Sequence, residues 1–141
     1  MALASVLAVA APLQALELHA PNAALHVQVA RTSAQRERGL MHVTALAPHT
    51  GMLFVFAAEK PWTFWMKDTL IDLDMVWLRR DGTVSSVAVR VPRTPSGTPD
   101  DRVARRAGVG AYVLELPANE AAHDGLREGA RVSGLPELAR E

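Results

Sequence analysis

The sequence has no cysteine. That excludes disulfides, thiolate-bound zinc, iron–sulfur clusters, a cysteine nucleophile and a thiol-linked lipid anchor. It also lacks net charge, because 15 basic residues face 15 acidic ones. The basic excess of a nucleic-acid-binding protein is therefore missing. Lys60 and Lys67 are the only lysines, and arginine supplies all the other basic groups, a compositional bias rather than a functional signal. No apolar run reaches the roughly 20 residues that a membrane-spanning helix needs. None of the histidines (His19, His26, His42, His49, His123) stands at metal-ligand spacing, and there is no His-Glu-x-x-His. Gly108-Val109-Gly110 has no third glycine and precedes a strand, so it is not a dinucleotide fingerprint. A Gly-x-Ser-x-Gly elbow and a phosphate-cradling loop ending in Lys-Ser or Lys-Thr are also absent. Neither a metal nor a cofactor is expected.

What is present suits one packed domain. The chain has 141 residues, 49% hydrophobic and 21% charged, enough to bury a core without staples. Residues 1–15 read as a signal-peptide-like segment and residues 16–141 as a single β-rich domain. Leu3 to Leu13 is almost wholly apolar, and Ala8-Val9-Ala10 fits an Ala-x-Ala cleavage pattern, with Ala15 as a later option. No basic residue precedes Arg31, so a signal of this kind needs a start further upstream. The other reading is a frayed Ala-rich terminus. Export to the periplasm is the expectation, and a cytoplasmic location the alternative.

Along the chain the period is mostly two. Leu16 to Ala20 and Leu25 to Val29 alternate around Pro21-Asn22-Ala23, a β-hairpin pattern with Leu25, Val27 and Val29 on one face. Thr32-Ser33-Ala34-Gln35 is a capping box opening a short helix that Gly39 ends. Gly51 to Phe56 reads as a buried strand, Glu59-Lys60-Pro61 as a turn, Trp62 to Met66 as a second strand and Leu70 to Leu78 as a third. Asp81-Gly82 predicts a hairpin into Val84–Val91. The proline-rich stretch Pro92 to Pro99 reads as an exposed loop. Tyr112 to Leu116 reads as a strand, Pro117-Ala118-Asn119 as the start of a short helix stopping at Gly125, and Val132 as lying in a last strand. About seven strands and two short helices result. The expected fold is mainly β, a single-domain antiparallel β-sandwich or partly open barrel.

Three blocks carry a resemblance. They are Arg36-Glu37-Arg38-Gly39-Leu40-Met41; the stretch from Gly51-Met52-Leu53-Phe54-Val55-Phe56 through Pro61 to Phe64-Trp65-Met66-Lys67-Asp68-Thr69-Leu70-Ile71-Asp72-Leu73-Asp74-Met75; and Tyr112-Val113-Leu114-Glu115-Leu116-Pro117 with Gly125 and Gly129. Over about residues 25–133 the chain resembles the bacterial and archaeal domain-of-unknown-function family 192. The resemblance implies a compact β-sandwich, often behind a signal peptide, with no agreed activity. Asp68 stands where Asn is commonest, Asp72 where Pro is commonest and Val43 where Arg is frequent.

Read as a strand, the motif puts Trp62, Phe64 and Met66 on one face and Thr63, Trp65 and Lys67 on the other. An indole beside an ammonium, with Asp68, Asp74, Arg36, Arg38 and Met41 nearby, makes a candidate binding pocket for a small, anionic ligand. Core packing for the tryptophans and Met41 is the alternative, as is helix capping for Arg38. Asp72 and Asp74, two apart on one strand face, are candidate catalytic carboxylates, with Lys67 as electrostatic support. The alternative for them is a solvated strand face with a salt bridge. A binding module ranks first, a structural or interaction domain without ligand second, and a hydrolase-like enzyme using paired carboxylates third. The expected partner is a small molecule, with no nucleic acid, no stable membrane insertion and a monomeric chain. The middle of the sequence supports an anionic ligand: residues 31–106 carry 12 basic and 8 acidic groups, a mild positive excess where the motif lies.

Overall fold

A computed structural model describes residues 12–140. The signal-like reading of residues 1–15 therefore falls mostly outside the described residues. Its last two positions, Gln14 and Ala15, already belong to a strand.

The strands are β1 (Gln14–His19), β2 (Ala24–Ala30), β3 (Thr50–Trp65), β4 (Leu73–Leu78), β5 (Val84–Val91) and β6 (Arg105–Pro117). Two short helices, α1 (Ser33–Arg38) and α2 (Glu120–His123), and a 3-10 turn at Asp100–Arg102 complete the order. The mainly-β expectation with two short helices holds. All six strands join one sheet in the order β1-β2-β3-β6-β4-β5, and it does not close into a barrel. The expectation of purely antiparallel pairing is corrected, because β2 and β3 run parallel. The chain gains the length for that crossover by passing through α1. Thr32 and Gln35 form the predicted capping box, and Gly39 at φ 48° ends the helix.

Both faces of the sheet are covered. Leu53, Val55, Val76, Leu114 and Leu116 pack on one side with Ala121 and Leu126. Met52, Phe54, Met75, Trp77 and Val113 pack on the other with Leu40 and Met66. A sheet buried on both sides reads as continuous apolar runs, which explains Gly51 to Phe56 and Leu73 to Leu78.

Several boundaries differ from those read in the sequence. Glu59-Lys60-Pro61 is not a turn; it lies inside the 16-residue β3. Val55 opposes Tyr112 and Lys60 opposes Gly110, so residues 56–59 bulge out against Ala111 alone. Pairing with β2 stops at Phe54. Beyond it β3 has one open edge, where a proline is tolerated. The strand expected from Leu70 begins only at Leu73. β6 begins at Arg105, seven residues before Tyr112. The last strand reduces to isolated bridges, His19 with Ser133 and Thr83 with Arg131. The proline-rich loop is not wholly exposed, because Thr94 is buried, donates to the Met66 carbonyl through its hydroxyl, and donates its N–H to the Thr69 carbonyl at 2.9 Å.

Gly108 lies within β6 because of Trp77. A Cβ there would fall 2.5 Å from the Trp77 ring and 2.6 Å from the Ser86 hydroxyl. Trp77 is fully buried, and its indole N–H donates to the Trp62 carbonyl at 3.2 Å, so the ring has nowhere to go. Gly108→Ala is expected to cost about 1–3 kcal/mol by overpacking. The check is the urea unfolding midpoint, and an unchanged midpoint would contradict this packing account.

Candidate functional site

The bulge in β3 shapes a cleft. It lets Phe56 and Trp62 stack with ring centroids 3.9 Å apart. Phe64 meets Phe54 edge-on at 4.8 Å and Trp77 at 6.4 Å. The Trp62 indole N–H donates to the Gly110 carbonyl at 2.9 Å, fixing that ring to β6. Against this aromatic wall lies the segment from α1 to Met41. The space between them is about 370 Å³, inside the usual range for small-molecule sites.

Five of the residues singled out from sequence line this cleft: Arg36, Arg38, Met41, Trp65 and Lys67. They come from α1, from the turn after it, and from the end of β3. Trp65 is 40% exposed. The Arg105 guanidinium lies 5.1 Å from its ring centroid and the Lys67 ammonium 6.0 Å, so two cations flank its face. The Lys67 ammonium pairs with the exposed Asp100 carboxylate. That hydrogen bond, more than the charges of Asp100 and Asp68, holds Lys67 above the usual lysine range. Arg36 donates to the Val55 carbonyl at 3.1 Å and to the Arg31 carbonyl, and lies 5.1 Å from the Phe56 ring centroid. Arg36 therefore also clamps α1 onto the bulge. Arg38 is exposed at the cleft rim.

Asp68 and Asp74 do not line the cleft. Asp68 sits at the bend at φ 49°, a left-handed position that Asp and Asn tolerate. Its carbonyl accepts from the His42 N–H at 2.9 Å, closing the turn after Met41 onto the bend. Asp74 is fully buried. One carboxylate oxygen accepts from the Arg90 N–H at 2.8 Å and the other from the Ala121 N–H at 3.0 Å. Arg90, at φ 47°, belongs to a bulge in β5, where Leu73 opposes Val91 but Met75 opposes Ala88. Asp74 thus joins the β5 bulge to α2.

The two carboxylates proposed as a catalytic pair have separate partners. Asp72 accepts from the Arg93 backbone N–H at 2.9 Å and from its guanidinium at 3.1 Å. The backbone bond first, then the side-chain bond, holds Asp72 below the usual carboxylate range. With Asp72 exposed beside Arg93 and Asp74 buried on backbone donors, the two share neither a cleft nor a common partner.

Sequence reasoning missed Glu115. It lies on β6 between Met52 and Met75 of the flanking strands and is only 5% exposed. It lines the floor of the cleft and has no hydrogen-bond partner among the described residues. Burial alone pushes its carboxyl up to about 8. In Tyr-Val-Leu-Glu-Leu the glutamate looks like a solvent-facing position of an alternating strand. Only a sheet covered on both faces turns that position inward.

Two other places bring a hollow or a cluster of titratable groups together. A hollow of about 580 Å³ is lined by Leu16, Val27, Leu40, Val43 and Leu46. Its titratable residues, Glu17 and His26, are exposed and lie 3.7 Å apart. His49, Glu120 and Asp124 bring one donor atom each to within 4.8 Å of one another, a set that could hold a divalent cation. As they stand, His49 Nδ1 is 2.8 Å from Asp124 and 3.4 Å from Glu120. Burial, then the Glu120 charge, raises the Asp124 carboxyl, while His49 opposes the rise.

The comparisons follow this geometry. A family model described as DUF192, Uncharacterized ACR, matches residues 16–134. None of the curated proteins matches. A crystal structure of a candidate transcription regulator from Sinorhizobium meliloti 1021 is 31% identical at a TM-score of 0.75, covering 89% of this chain and 96% of that one. A protein of unknown function from Novosphingobium aromaticivorans DSM 12444 is 28% identical at a TM-score of 0.68, covering 86% of this chain and 84% of that one.

Two predictions follow from these carboxyls. Asp74→Ala strands the buried Ala121 N–H and the part-buried Arg90 N–H, an unpaired buried donor costing about 1–3 kcal/mol. Chemical denaturation should show a loss of about 2–5 kcal/mol, with both bulge and helix contacts gone. Glu115 keeps its proton in the folded chain while the unfolded chain loses it near the ordinary value of 4.5. Stability from this group is therefore full below pH 4.5 and falls as pH rises toward 8. The melting temperature of Glu115→Gln should fall less than that of the wild type between pH 5 and 8. Parallel curves would contradict the burial of Glu115.

Proposed function

The chain belongs to the DUF192 family of uncharacterised proteins, and from that premise we propose that it is a binding module that holds a small, anionic ligand in the cleft between α1 and the bulged half of β3. One observation carries the reading: Arg36, Arg38, Met41, Trp65 and Lys67, from separate stretches of chain, meet around one aromatic hollow. Flat apolar walls with a few placed polar groups are the general form of a ligand site. Trp65 supplies the exposed wall, and Lys67 and Arg38 the positive rim that steers an anion inward.

A purely structural role explains this less well, because an exposed indole and a cationic rim add little to stability. Paired-carboxylate hydrolysis is disfavoured by the separate engagements of Asp72 and Asp74. Transcription regulation, the role described for the S. meliloti protein, calls for a basic surface, whereas this chain has formal net charge 0. The module is proposed to act as a monomer after export to the periplasm. Among the described residues no helix is long and apolar enough to cross a membrane. Cleavage after Ala10 leaves β1 whole, whereas cleavage after Ala15 removes the pairs Gln14–Val29 and Ala15–Gln28.

Native mass spectrometry of the protein from its host's periplasmic fraction tests occupancy, monomeric state and leader removal together. Titration with hexanoate and other small organic acids tests the anion site. Lys67→Ala should weaken hexanoate binding about three- to tenfold, a modest loss because the ammonium is partly exposed and already paired with Asp100. Trp65→Ala should weaken it by a similar factor through lost apolar contact. No saturable binding of any acid by the wild type would overturn the reading.

A further inference from the structure

We propose that the ligand of this cleft is a zwitterion, whose ammonium sits at the floor against Glu115 and whose acidic group sits at the rim near Lys67 and Arg38. The inference rests on the binding-module reading and adds the chemistry of the ligand's inner end.

Glu115 is a carboxyl 95% removed from solvent, flanked across the sheet by Met52 and Met75. A buried polar group is normally hydrogen-bonded, and this one has no partner among the described residues. Its remaining exposure opens into the cleft. The charged groups that face the cleft are Arg36, Glu37 and Arg38 from α1 and Lys67 from the bend after β3. On β4, Asp74 is engaged by Arg90 and Ala121. None of these perturbs Glu115, whose shift comes from burial alone. The rim cations therefore do not reach the floor, and an occupant of the cleft can supply the partner that Glu115 lacks.

An ammonium suits this floor better than a neutral donor. It forms an ion pair in a site of low dielectric, where such pairs are strong. The hollow it enters is also lined by the rings of Phe54, Phe56, Trp62 and Phe64, and aromatic rings attract cations through their quadrupoles. A neutral amide gains only the hydrogen bond. With the acidic group at the cationic rim, both ends of the occupant are matched. A cleft of about 370 Å³ accommodates a short apolar spacer between the two charges.

The binding step moves a proton. The empty site holds Glu115 mostly protonated near neutral pH, since its carboxyl titrates at about 8. Pairing with an ammonium ionises it, and the displaced proton leaves to solvent.

The test uses isothermal titration calorimetry of the full chain with two probes, 6-aminohexanoate and hexanoate, in two buffers of different ionisation enthalpy at pH 7. The wild type should bind 6-aminohexanoate at least tenfold more tightly than hexanoate and release close to one proton per ligand. In Glu115→Gln, which keeps the shape and removes the charge, the advantage of the amino probe over hexanoate should vanish. The tightening for 6-aminohexanoate should also grow in the wild type as pH rises from 6 to 8, a measurement that does not depend on the variant folding. Hexanoate binding with no advantage for the amino probe would overturn the zwitterion and leave the binding module standing. An advantage that persists in Glu115→Gln, or one without proton release, would also overturn it. Absence of saturable binding by either probe would remove both readings.

Discussion

The candidate site depends on where Trp77 is held. Its ring lies flat against Gly108, where even a methyl group would collide, and its N–H is bonded to the Trp62 carbonyl. That places the far half of β3 at a fixed height over the sheet, although four residues bulge out behind it. Trp62 then stacks on Phe56, and Phe64 wedges between Phe54 and Trp77. Without this lock the bulge would be a loose loop and the cleft would have no wall. Dispersion between large rings is individually weak and collectively strong, so a packed aromatic cluster can hold an irregular strand in one shape.

The fold treats two of its three buried carboxyls, Asp74 and Glu115, in opposite ways. Asp74 is compensated: each oxygen accepts a backbone N–H that a bulge or a helix start would otherwise leave unpaired. Such a group is structural, since its free energy is spent inside the fold. Glu115 is uncompensated, and no neighbouring cation offsets its burial. They lie on the adjacent strands β4 and β6, so proximity to the core does not explain the difference. Asp74 faces the side covered by α2, whereas Glu115 faces the side where α1 stands off and leaves a hollow. An acid that destabilises the folded chain above its ordinary titration point is a cost that function, not folding, accounts for.

The sequence made some of this legible and hid the rest. Hairpin, capping box and Asp-Gly turn are local patterns, and each appears where its residues specify it. The gathering of Arg36, Met41, Trp65 and Lys67 was legible as a motif, because the residues cluster in two short blocks. Pro61 misled, since proline reads as a breaker unless the strand edge beside it is known to be open. The parallel pairing of β2 and β3 was hidden because nothing local distinguishes a crossover from a return. Glu115 was hidden for a similar reason: its position faces inward only when both sides of the sheet are covered. His49, Glu120 and Asp124 lie too far apart along the chain for any spacing rule to join them.

The departures from the family pattern that the resemblance suggests lie outside the cleft. Asp68 replaces a frequent Asn at a left-handed bend that accepts either residue, so the backbone bond to His42 survives the change. What changes is charge, because Asp68 adds to the pull of Asp100 on Lys67. Asp72, where Pro is commonest, takes up Arg93 outside the cleft. Both substitutions draw cations of this region toward carboxylates of the protein itself. On the proposed binding reading, a ligand anion would therefore compete with Asp100 for Lys67, and the rim would select weakly among anions. Selectivity then falls to the inner end of the cleft, where Glu115 has no rival partner among the described residues and a wrong occupant leaves a buried carboxyl unmatched.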